Sequence, residues 1–148
     1  MGYGFPAAIG AAVAFPERQI VCISGDGSFQ MNMQEIMTAV DLQLNVKVFI
    51  LKNGYLGMVR QWQELFLNKR YSAVQISSPD FAALAKSFGA QGYRANTKDE
   101  ATAVIKRALN TEGPAIMEFD IVEETNVYPI VPPGASNDES IEGSPIIN

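Results

Sequence analysis

The apolar residues of the chain follow two patterns that alternate along the sequence. Short runs rich in β-branched residues are typical of buried strands, and apolar residues at helical spacing are typical of amphipathic helices. The predicted strands are Arg18–Gly25, Val46–Asn53, Gly89–Asn96 and Gly113–Val122, and the predicted helices are Gly2–Phe15, Ser28–Leu44, Phe81–Gly89 and Lys98–Asn110. This alternation predicts an α/β fold of three layers, α/β/α, with a mainly parallel sheet covered by helices on both faces.

Two regions are assigned to neither a strand nor a helix. From residue 54 to about Tyr71, polar and aromatic residues follow one another, and no strand is predicted there. The segment that starts at Pro129 is rich in Pro, Gly and Ser, so we expect it to be extended or mobile. We therefore expect one domain, residues 1–128, followed by a C-terminal tail, residues 129–148.

Composition excludes several classes of function. The chain has 148 residues, a net charge of −5 and acidic residues concentrated in its last third, so it offers no basic face to nucleic acid. The absence of histidine excludes a Ser-His-Asp triad and a histidine-rich zinc site within this chain. No apolar stretch is long enough to span a bilayer, and the apolar N-terminus lacks the basic region of a signal peptide, so a cytoplasmic protein is expected. The single cysteine, Cys22, is expected to be a buried thiol.

One charged residue in the stretch VCISGDGSFQMN, residues 21–32, requires a partner. A predicted buried strand ends there in a carboxylate, Asp26, between Gly25 and Gly27. A buried charge without a partner is strongly unfavourable. In an open parallel sheet, ligands bind beyond the carboxyl ends of the strands, and Asn53 stands at the end of the next predicted strand. We therefore expect Asp26 and Asn53 to face one crevice.

The residues around Asp26 favour a phosphate that is bound through a metal ion. The two glycines allow the backbone to approach a ligand, and the free N–H groups of a helix that begins near Ser28 favour an anion. The carboxylate would repel that anion unless a cation lay between them. Carboxylate, amide and carbonyl oxygens, together with phosphate oxygens, are ligands that Mg²⁺ prefers. The sequence thus predicts a diphosphate site bridged by Mg²⁺.

Less specific interpretations stay open for these residues. Gly-Asp-Gly is an ordinary turn sequence, and Asp26 could cap the helix that follows it. Asn53 could be a simple strand-end residue. Gln30 stands where a dinucleotide-binding fingerprint would need a third glycine, which argues against that kind of site.

Longer stretches of the sequence carry a resemblance to a known family. Gly25-Asp26-Gly27, followed by a helix, a strand and Asn53, resembles the motif of thiamine diphosphate (ThDP) enzymes, although Lys52 stands where that family has asparagine. The stretches MGYGFPAAIGAA, GDGSFQMNMQE, GMVRQWQELF, NKRYS and PIVPPGAS are similar to the C-terminal part of the acetolactate synthase large subunit. The resemblance implies the ThDP-binding fold and, within it, the diphosphate-binding domain. The intact enzymes join two pyruvates, or pyruvate and 2-ketobutyrate, with loss of CO₂ on the route to branched-chain amino acids.

The resemblance also implies roles for individual residues. Asp26 and Asn53 would bind Mg²⁺ through their side chains, and Tyr55 through its backbone carbonyl. The residues implied around the cofactor are Met1, Gly25, Gly27, Ser28, Gly57 and Met58. The pocket for the acceptor substrate would be lined by Met58, Val59 and Trp62. Met58 and Val59 could instead be core residues, and Trp62 could be a packing or interface aromatic.

The same resemblance implies what the chain lacks. In the family, a glutamate that contacts the aminopyrimidine ring of ThDP belongs to another domain, usually of a neighbouring subunit, and no glutamate here matches its motif. No catalytic residue is therefore expected in this chain, and FAD is expected to bind mostly outside it. A homo-oligomer is implied, with a regulatory small subunit as a possible further partner. Met1–Gly4 matches the middle of the longer family sequence, so the chain would be an excised domain or a separately encoded subunit.

Two other functions remain open from the sequence. The chain could belong to another ThDP enzyme, such as a pyruvate oxidase or a carboligase, although GMVRQWQELF favours acetolactate synthase. It could also be a module that holds a diphosphate without chemistry. Activity with an added partner that carries the missing glutamate would separate a module from a subunit.

Overall fold

A computed structural model describes residues 1–123 and 125–143 and confirms the predicted α/β fold class. The strands are β1 (Ile20–Gly25), β2 (Val46–Lys52), β3 (Gln91–Ala95) and β4 (Ala115–Asp120). The α-helices are α1 (Gly4–Ala14), α2 (Asp26–Gln30), α3 (Ile36–Asp41), α4 (Gly57–Phe66), α5 (Phe81–Ser87) and α6 (Lys98–Leu109). Short 3₁₀ turns cover Met33–Glu35 and Asn137–Glu139. None of the helices in this part of the chain has the length and apolar character needed to cross a membrane.

The strands form one parallel sheet in the order β1-β2-β4-β3. β1 and β2 are neighbours, with Ile20 opposite Val46 and Gly25 opposite Leu51. Their carboxyl ends therefore meet at one edge of the sheet, which brings the residues after Gly25 close to those after Lys52.

The helices are distributed over the two faces according to the direction in which the chain crosses the sheet. From β1 to β2 and from β2 to β3 the chain moves across the sheet in the same direction. From β3 to β4 it moves in the reverse direction, because β4 lies between β2 and β3. Right-handed crossovers in opposite directions place their helices on opposite faces. Accordingly α2, α3 and α5 share one face with α1, and α6 packs on the other face against β3 and β4. The core of the first face includes Phe5, Phe29, Ile36, Ile50 and Phe81, together with Cys22 as the predicted buried free thiol.

In the described part of the chain, the second face of the sheet is covered over β3 and β4 but open over β1 and β2. Val21, Ile23 and Leu51 point to this side and are exposed, Ile23 by 69%. Ile23 and Leu51 also border an apolar cleft of about 450 Å³ beside α6. Within the described residues, the predicted cover by helices on both faces therefore applies to only part of the sheet.

The helix predicted for Ser28–Leu44 is wrong in its length, because the structure divides it into α2, a 3₁₀ turn and α3. The break falls at Asn32, whose backbone leaves the helical region at φ −139° and ψ 26°. The Asn32 side-chain amide donates to the carbonyl of Gly2 at 2.6 Å. Short polar side chains compete in this way with helical backbone hydrogen bonds. The apolar spacing therefore persists through a segment that is not one continuous helix.

Helix α4 occupies a region for which the sequence analysis predicts neither a strand nor a helix. Its buried side chains are Arg60 and Gln61, which are polar. Its apolar residues Met58, Val59 and Trp62 are all exposed to a large extent. The apolar residues Met58, Val59, Trp62, Leu65 and Phe66 nevertheless recur at helical spacing, and what is unusual in α4 is that much of this apolar side is exposed while the buried residues are polar.

The described part of the tail, residues 129–143, is not the extended segment that its composition predicts. Ile130 and Ile141 form an antiparallel bridge with backbone hydrogen bonds of 3.0 and 2.8 Å. Between them, Ser136 and Glu139 form a capping box around a 3₁₀ turn. The tail therefore closes on itself between residues 130 and 141. The predicted tail residues 144–148, like Glu124, lie outside the described residues.

Candidate functional site

A cleft of about 370 Å³ opens at the carboxyl ends of β1 and β2. Ligands bind at this location in parallel α/β sheets. The predicted site residues that line the cleft are Met1, Gly25, Asp26, Gly27, Ser28, Asn53, Tyr55, Gly57, Met58 and Val59. Trp62 is not among the residues that line it. The fold thus gathers two separate segments of the sequence, which follow β1 and β2, around a single space.

Asp26 is the first residue of α2, and only 1% of its surface is exposed. One carboxylate oxygen, Oδ2, accepts hydrogen bonds from the Gly54 N–H and the Ser78 hydroxyl, both at 3.0 Å. The carboxylate reaches across to these residues rather than back to its own helix, for which Gly25 is the N-cap residue. The alternative in which Asp26 merely caps α2 is therefore wrong.

No cation in the described part of the chain neutralises Asp26. The ion pairs found there join Lys52, Arg60 and Arg94 to Glu64, Glu118 and Asp120. Neutral hydrogen-bond donors replace some of the hydration of a buried carboxylate but leave its charge uncompensated. A metal ion next to Asp26 would supply the missing positive charge.

The loop that follows β2 presents further oxygen atoms next to Asp26. Asn53 Oδ1 accepts from the Tyr55 N–H at 3.1 Å, which closes a tight turn. Gly54, between them, has a φ of +71°, a conformation that favours glycine. Two backbone hydrogen bonds, of 2.7 and 2.9 Å, tie this loop to residues 74–76. The side chain of Asn53 and the backbone of Tyr55 are therefore held at the cleft by several independent contacts.

The donor atoms of the cleft fit Mg²⁺. They are carboxylate, amide and backbone carbonyl oxygens, which hard cations prefer. Among the described residues there is no group of three or more His, Cys, Asp or Glu side chains that could hold a metal by themselves. Mg²⁺ is commonly held by one or two carboxylates together with the phosphates of a ligand. A single buried carboxylate therefore suits an ion that bridges the protein to a phosphate.

Gly27 and Gly25 contribute to the cleft in different ways. A Cβ at Gly27 would lie 2.8 Å from Leu56 Cδ2 and 2.9 Å from Ile76 Cδ1, so a side chain would displace both neighbours. A Cβ at Gly25 would meet no atom within 4 Å. Gly27 therefore permits close packing below the cleft, and Gly25 leaves free space in its wall.

The N-terminal residues are fixed against α2 and the turn that follows it. The Gly2 N–H donates to Ser28 Oγ at 3.0 Å, and the Gly2 carbonyl accepts from Asn32 Nδ2 at 2.6 Å. These two bonds hold Gly2 from both sides and place Met1 at the cleft. The Ser28 side chain therefore helps to position Met1.

The first turn of α4 borders the cleft with Gly57, Met58 and Val59. Met58 is 51% exposed and Val59 is 43% exposed, so the alternative that they are core residues is wrong for this chain. Trp62 lies one turn further and packs edge-on against Phe66, with ring centroids 5.4 Å apart. Because Met58 and Trp62 are four residues apart, they share one side of the helix. This side continues from the cleft to the molecular surface.

The opposite side of α4 is anchored by buried polar groups. Gln61 Nε2 donates to the Val127 carbonyl at 2.8 Å, and Gln61 Oε1 accepts from the Val127 N–H at 2.7 Å. Arg60 is fully buried and donates to Glu64 at 2.6 Å and to Asn126. Helix α4 is thereby joined to the chain segment that leads into the tail.

Two residues that no sequence pattern predicts at the site are Ser78, which contacts Asp26, and Gln30, which contacts Ser78. Gln30 Nε2 donates to Ser78 Oγ at 3.1 Å, and Ser78 donates to Asp26. Ser78 lies 52 residues after Asp26, and next to Pro79 it is typical of a helix start. No local pattern could connect Ser78 with Asp26, because only the tertiary fold brings them together.

A second buried carboxylate, Glu118 of β4, lies beside the site. Glu118 Oε1 is 2.7 Å from Lys52 Nζ and 3.8 Å from Arg94 Nε, and Oε2 accepts from the Phe81 N–H at 2.9 Å. The hydrogen bond with Glu118 raises the pKa of Lys52 above its ordinary value. Lys52, which stands where the ThDP motif has asparagine, is thus paired with a structural carboxylate.

Comparison with known proteins agrees with the geometry. Residues 1–119 match the family described as thiamine pyrophosphate enzyme, C-terminal TPP binding domain. The chain is 50% identical over 143 residues to the acetolactate synthase isozyme 2 large subunit of Escherichia coli (strain K12), covering 96% of this chain and 26% of that protein. It is 46% identical over 143 residues to the acetolactate synthase large subunit of Pyropia yezoensis, covering 95% and 24%. It is 43% identical over 145 residues to the mitochondrial acetolactate synthase catalytic subunit of Saccharomyces cerevisiae, covering 98% and 21%. The chain thus spans about a quarter of the length of these relatives.

Proposed function

Because the chain belongs to the family of C-terminal TPP-binding domains of thiamine pyrophosphate enzymes, we propose that its cleft binds Mg²⁺ and the diphosphate of ThDP. The observation that carries this proposal is the buried carboxylate of Asp26, which lines the cleft and has no cationic partner among the described residues. A Mg²⁺ ion between Asp26 and a diphosphate would compensate both negative groups.

The metal ligands in this proposal are Asp26 and Asn53, through their side chains, and Tyr55, through its backbone carbonyl. All three line the cleft, and their loops are tied to each other by the bond from the Gly54 N–H to Asp26. This shared anchoring supports a common ligand, because it keeps oxygen donors from two strand ends at a fixed separation.

The diphosphate would be held by backbone N–H groups at the start of two helices. Gly27 and Ser28 lie in the first turn of α2, and Gly57 and Met58 begin α4. The first N–H groups of a helix have no partner within it and attract anions. Gly25 leaves space for the ligand, and Met1 would lie against the thiamine.

We infer that the complete enzyme is an acetolactate synthase, a transferase that joins two pyruvates, or pyruvate and 2-ketobutyrate, with loss of CO₂ in branched-chain amino acid biosynthesis. Bound ThDP supplies a nucleophilic carbon and an electron sink for the decarboxylation. The residues of this chain that would contact the acceptor are Met58, Val59 and Trp62, on the exposed side of α4. The inference is supported by relatives that carry this enzyme name at 43–50% identity.

The remaining chemistry would come from outside this chain. Asp26 is the only carboxylate among the described residues that line the cleft, and as a metal ligand it cannot also serve as a base. The glutamate for the aminopyrimidine ring would come from the pyrimidine-binding domain of a neighbouring subunit in a homo-oligomer. FAD would bind mostly outside the chain, and a regulatory small subunit is a possible further partner. Exposed Tyr3 (80%) and Ile23 (69%) support contacts with further protein.

The test combines binding and turnover measurements on the chain as it stands. Calorimetric titration with ThDP should show binding that requires Mg²⁺, and pyruvate should release no CO₂. Addition of a pyrimidine-binding domain that carries the missing glutamate should restore CO₂ release. Turnover of pyruvate by the chain alone would contradict the proposal that the remaining chemistry comes from outside it. ThDP binding of equal affinity with and without Mg²⁺ would contradict the proposed metal site.

A further inference from the structure

Asp26 is held by a relay of hydrogen bonds that begins at Gln30. Gln30 Nε2 lies 3.1 Å from Ser78 Oγ, and Ser78 Oγ lies 3.0 Å from Asp26 Oδ2. An amide nitrogen can only donate, so Ser78 accepts from Gln30 and keeps its single proton for Asp26. The direction of both hydrogen bonds is therefore fixed.

The backbone around Ser78 is restrained as well. Pro79 follows it, and a residue before proline is confined largely to extended conformations. Asp80 then caps α5, because its Oδ1 accepts from the Ala83 N–H at 2.7 Å. The Ser78 hydroxyl is thus presented to Asp26 from a rigid connection between a loop and a capped helix.

The relay fixes one carboxylate oxygen and leaves the other available. The Ser78 hydroxyl and the Gly54 N–H both bind Oδ2, and no hydrogen bond to Oδ1 is found within residues 1–123 and 125–143. Two bonds on a single oxygen restrict the rotation of the carboxylate, as the outer partners of metal-binding side chains do. We propose that Ser78, supported by Gln30, is a positioning residue that orients Asp26 toward the metal ion. This inference rests on the proposed function, since it takes Asp26 to be a metal ligand.

The chain offers a matched control at the neighbouring residue. Ser77 is exposed, whereas Ser78 is partly buried and contacts Asp26. Ser77→Ala and Ser78→Ala make the same chemical change one residue apart, before the same proline. A difference between the two variants therefore reports the hydroxyl of Ser78 rather than a general effect on the loop.

The experiment measures the affinity for Mn²⁺, used in place of Mg²⁺, at a fixed saturating concentration of ThDP. Free Mn²⁺ is quantified by electron paramagnetic resonance. Ser78→Ala should raise the Kd for Mn²⁺ by roughly 10–100-fold, the usual effect of removing a hydrogen-bond partner from a metal ligand. Ser77→Ala should leave the Kd unchanged, and Ser78→Thr, which keeps the hydroxyl, should largely preserve it. Gln30→Met should weaken binding less than Ser78→Ala, because it removes only the group that orients Ser78.

Asp26→Ala separates this inference from the proposed function. If Asp26→Ala binds Mn²⁺ as wild type does, the metal is not at Asp26 and both are overturned. If Asp26→Ala loses binding while Ser78→Ala binds as tightly as Ser77→Ala, only the positioning role is overturned. Should Ser78→Ala fail to fold, Gln30→Met decides the matter, since wild-type affinity in that variant contradicts the relay.

Discussion

Two carboxylates are buried near the carboxyl ends of strands in this sheet, and their surroundings are opposite in character. Glu118 lies within 4 Å of two cations, Lys52 and Arg94, and also accepts the Phe81 N–H. Asp26 accepts two hydrogen bonds from neutral groups and meets no cation in the described part of the chain. Both side chains are almost completely shielded from water.

The difference distinguishes a charge that completes the fold from one that is kept for a ligand. The negative charge of Glu118 is balanced by groups of the same chain, so it needs no further ligand once the protein has folded. The charge of Asp26 is only solvated by neutral donors, so its site gains most from an added cation. Burial alone does not show that a carboxylate binds a ligand. The charge of its partners is the more informative property.

The largest effect is expected from Asp26→Ala, which removes the only carboxylate of the proposed metal site. Loss of a metal ligand should exceed the roughly 10–100-fold effect of losing an outer partner. Mg²⁺-dependent binding of ThDP should therefore disappear from calorimetric titration. Asp26→Asn should also lose most of this binding, because its amide oxygen would stay with the Gly54 N–H and the Ser78 hydroxyl, and the NH₂ group, which cannot bind a cation, would take the place of Oδ1. Unchanged ThDP affinity in Asp26→Ala would show that Asp26, although it lacks the cationic partners of Glu118, does not bind the metal.

Lys52→Met should destabilise the fold, because it deprives the buried Glu118 of its nearest cation. Breaking a buried ion pair by removing one partner costs about 3–5 kcal/mol, and Arg94 at 3.8 Å places the expected loss near the lower limit. Urea unfolding gives the change in the free energy of unfolding. Lys52→Arg serves as the control, since it keeps the charge. A loss as small as that of a surface ion pair would show that Glu118 is not balanced by Lys52.

When no metal is present, Asp26→Asn should not lower the free energy of unfolding as Lys52→Met does. The substitution removes a buried charge that has no cation, while its amide oxygen can still accept from Gly54 and Ser78. The metal-free chain should therefore be as stable as wild type, or more stable by up to about 1 kcal/mol, the order of one net hydrogen bond. Thermal unfolding in the presence of a chelator provides the measurement. A clear loss of stability would identify Asp26 as a structural carboxylate like Glu118.

The smallest effect on stability is expected for Asp120, which pairs with Lys52 and Arg94, the same two cations that contact Glu118. The hydrogen bond from Arg94 holds the pKa of Asp120 below its ordinary value. A depressed pKa in the folded state gives stability that is present above the unfolded value, near 3.9, and lost as pH falls through the folded value. Because Asp120 is partly exposed, the contribution should be below about 1 kcal/mol. Urea unfolding between pH 5 and pH 3 should show a shallower loss of stability in Asp120→Asn than in wild type, and identical slopes would contradict the prediction.

The sequence was sufficient to predict the proximity of Asp26 and Asn53, because parallel strands end at the same edge of a sheet. It could not predict the break at Asn32, since the competing partner of that side chain is Gly2, which lies 30 residues away. Helix α4 was hidden for a different reason. Its apolar residues do follow the helical period, but the polar residues Arg60 and Gln61 are the buried ones, so the sequence pattern cannot tell which side of α4 packs inside. Ser78 was missed because its role depends on a contact across 52 residues.

The anchoring of α4 has a consequence for the synthesis of the chain. Gln61 binds both backbone groups of Val127 as a neighbouring strand would, and Arg60 donates to Asn126. A nascent chain that has not yet reached these residues lacks the partners of Arg60 and Gln61, and each missing hydrogen bond removes about 1 kcal/mol of net stabilisation from the docked position of α4. The position of helix α4 on the domain should therefore become fixed only after residue 127 has left the ribosome. The wall of the cleft that α4 provides would then be among the last parts of the domain to form.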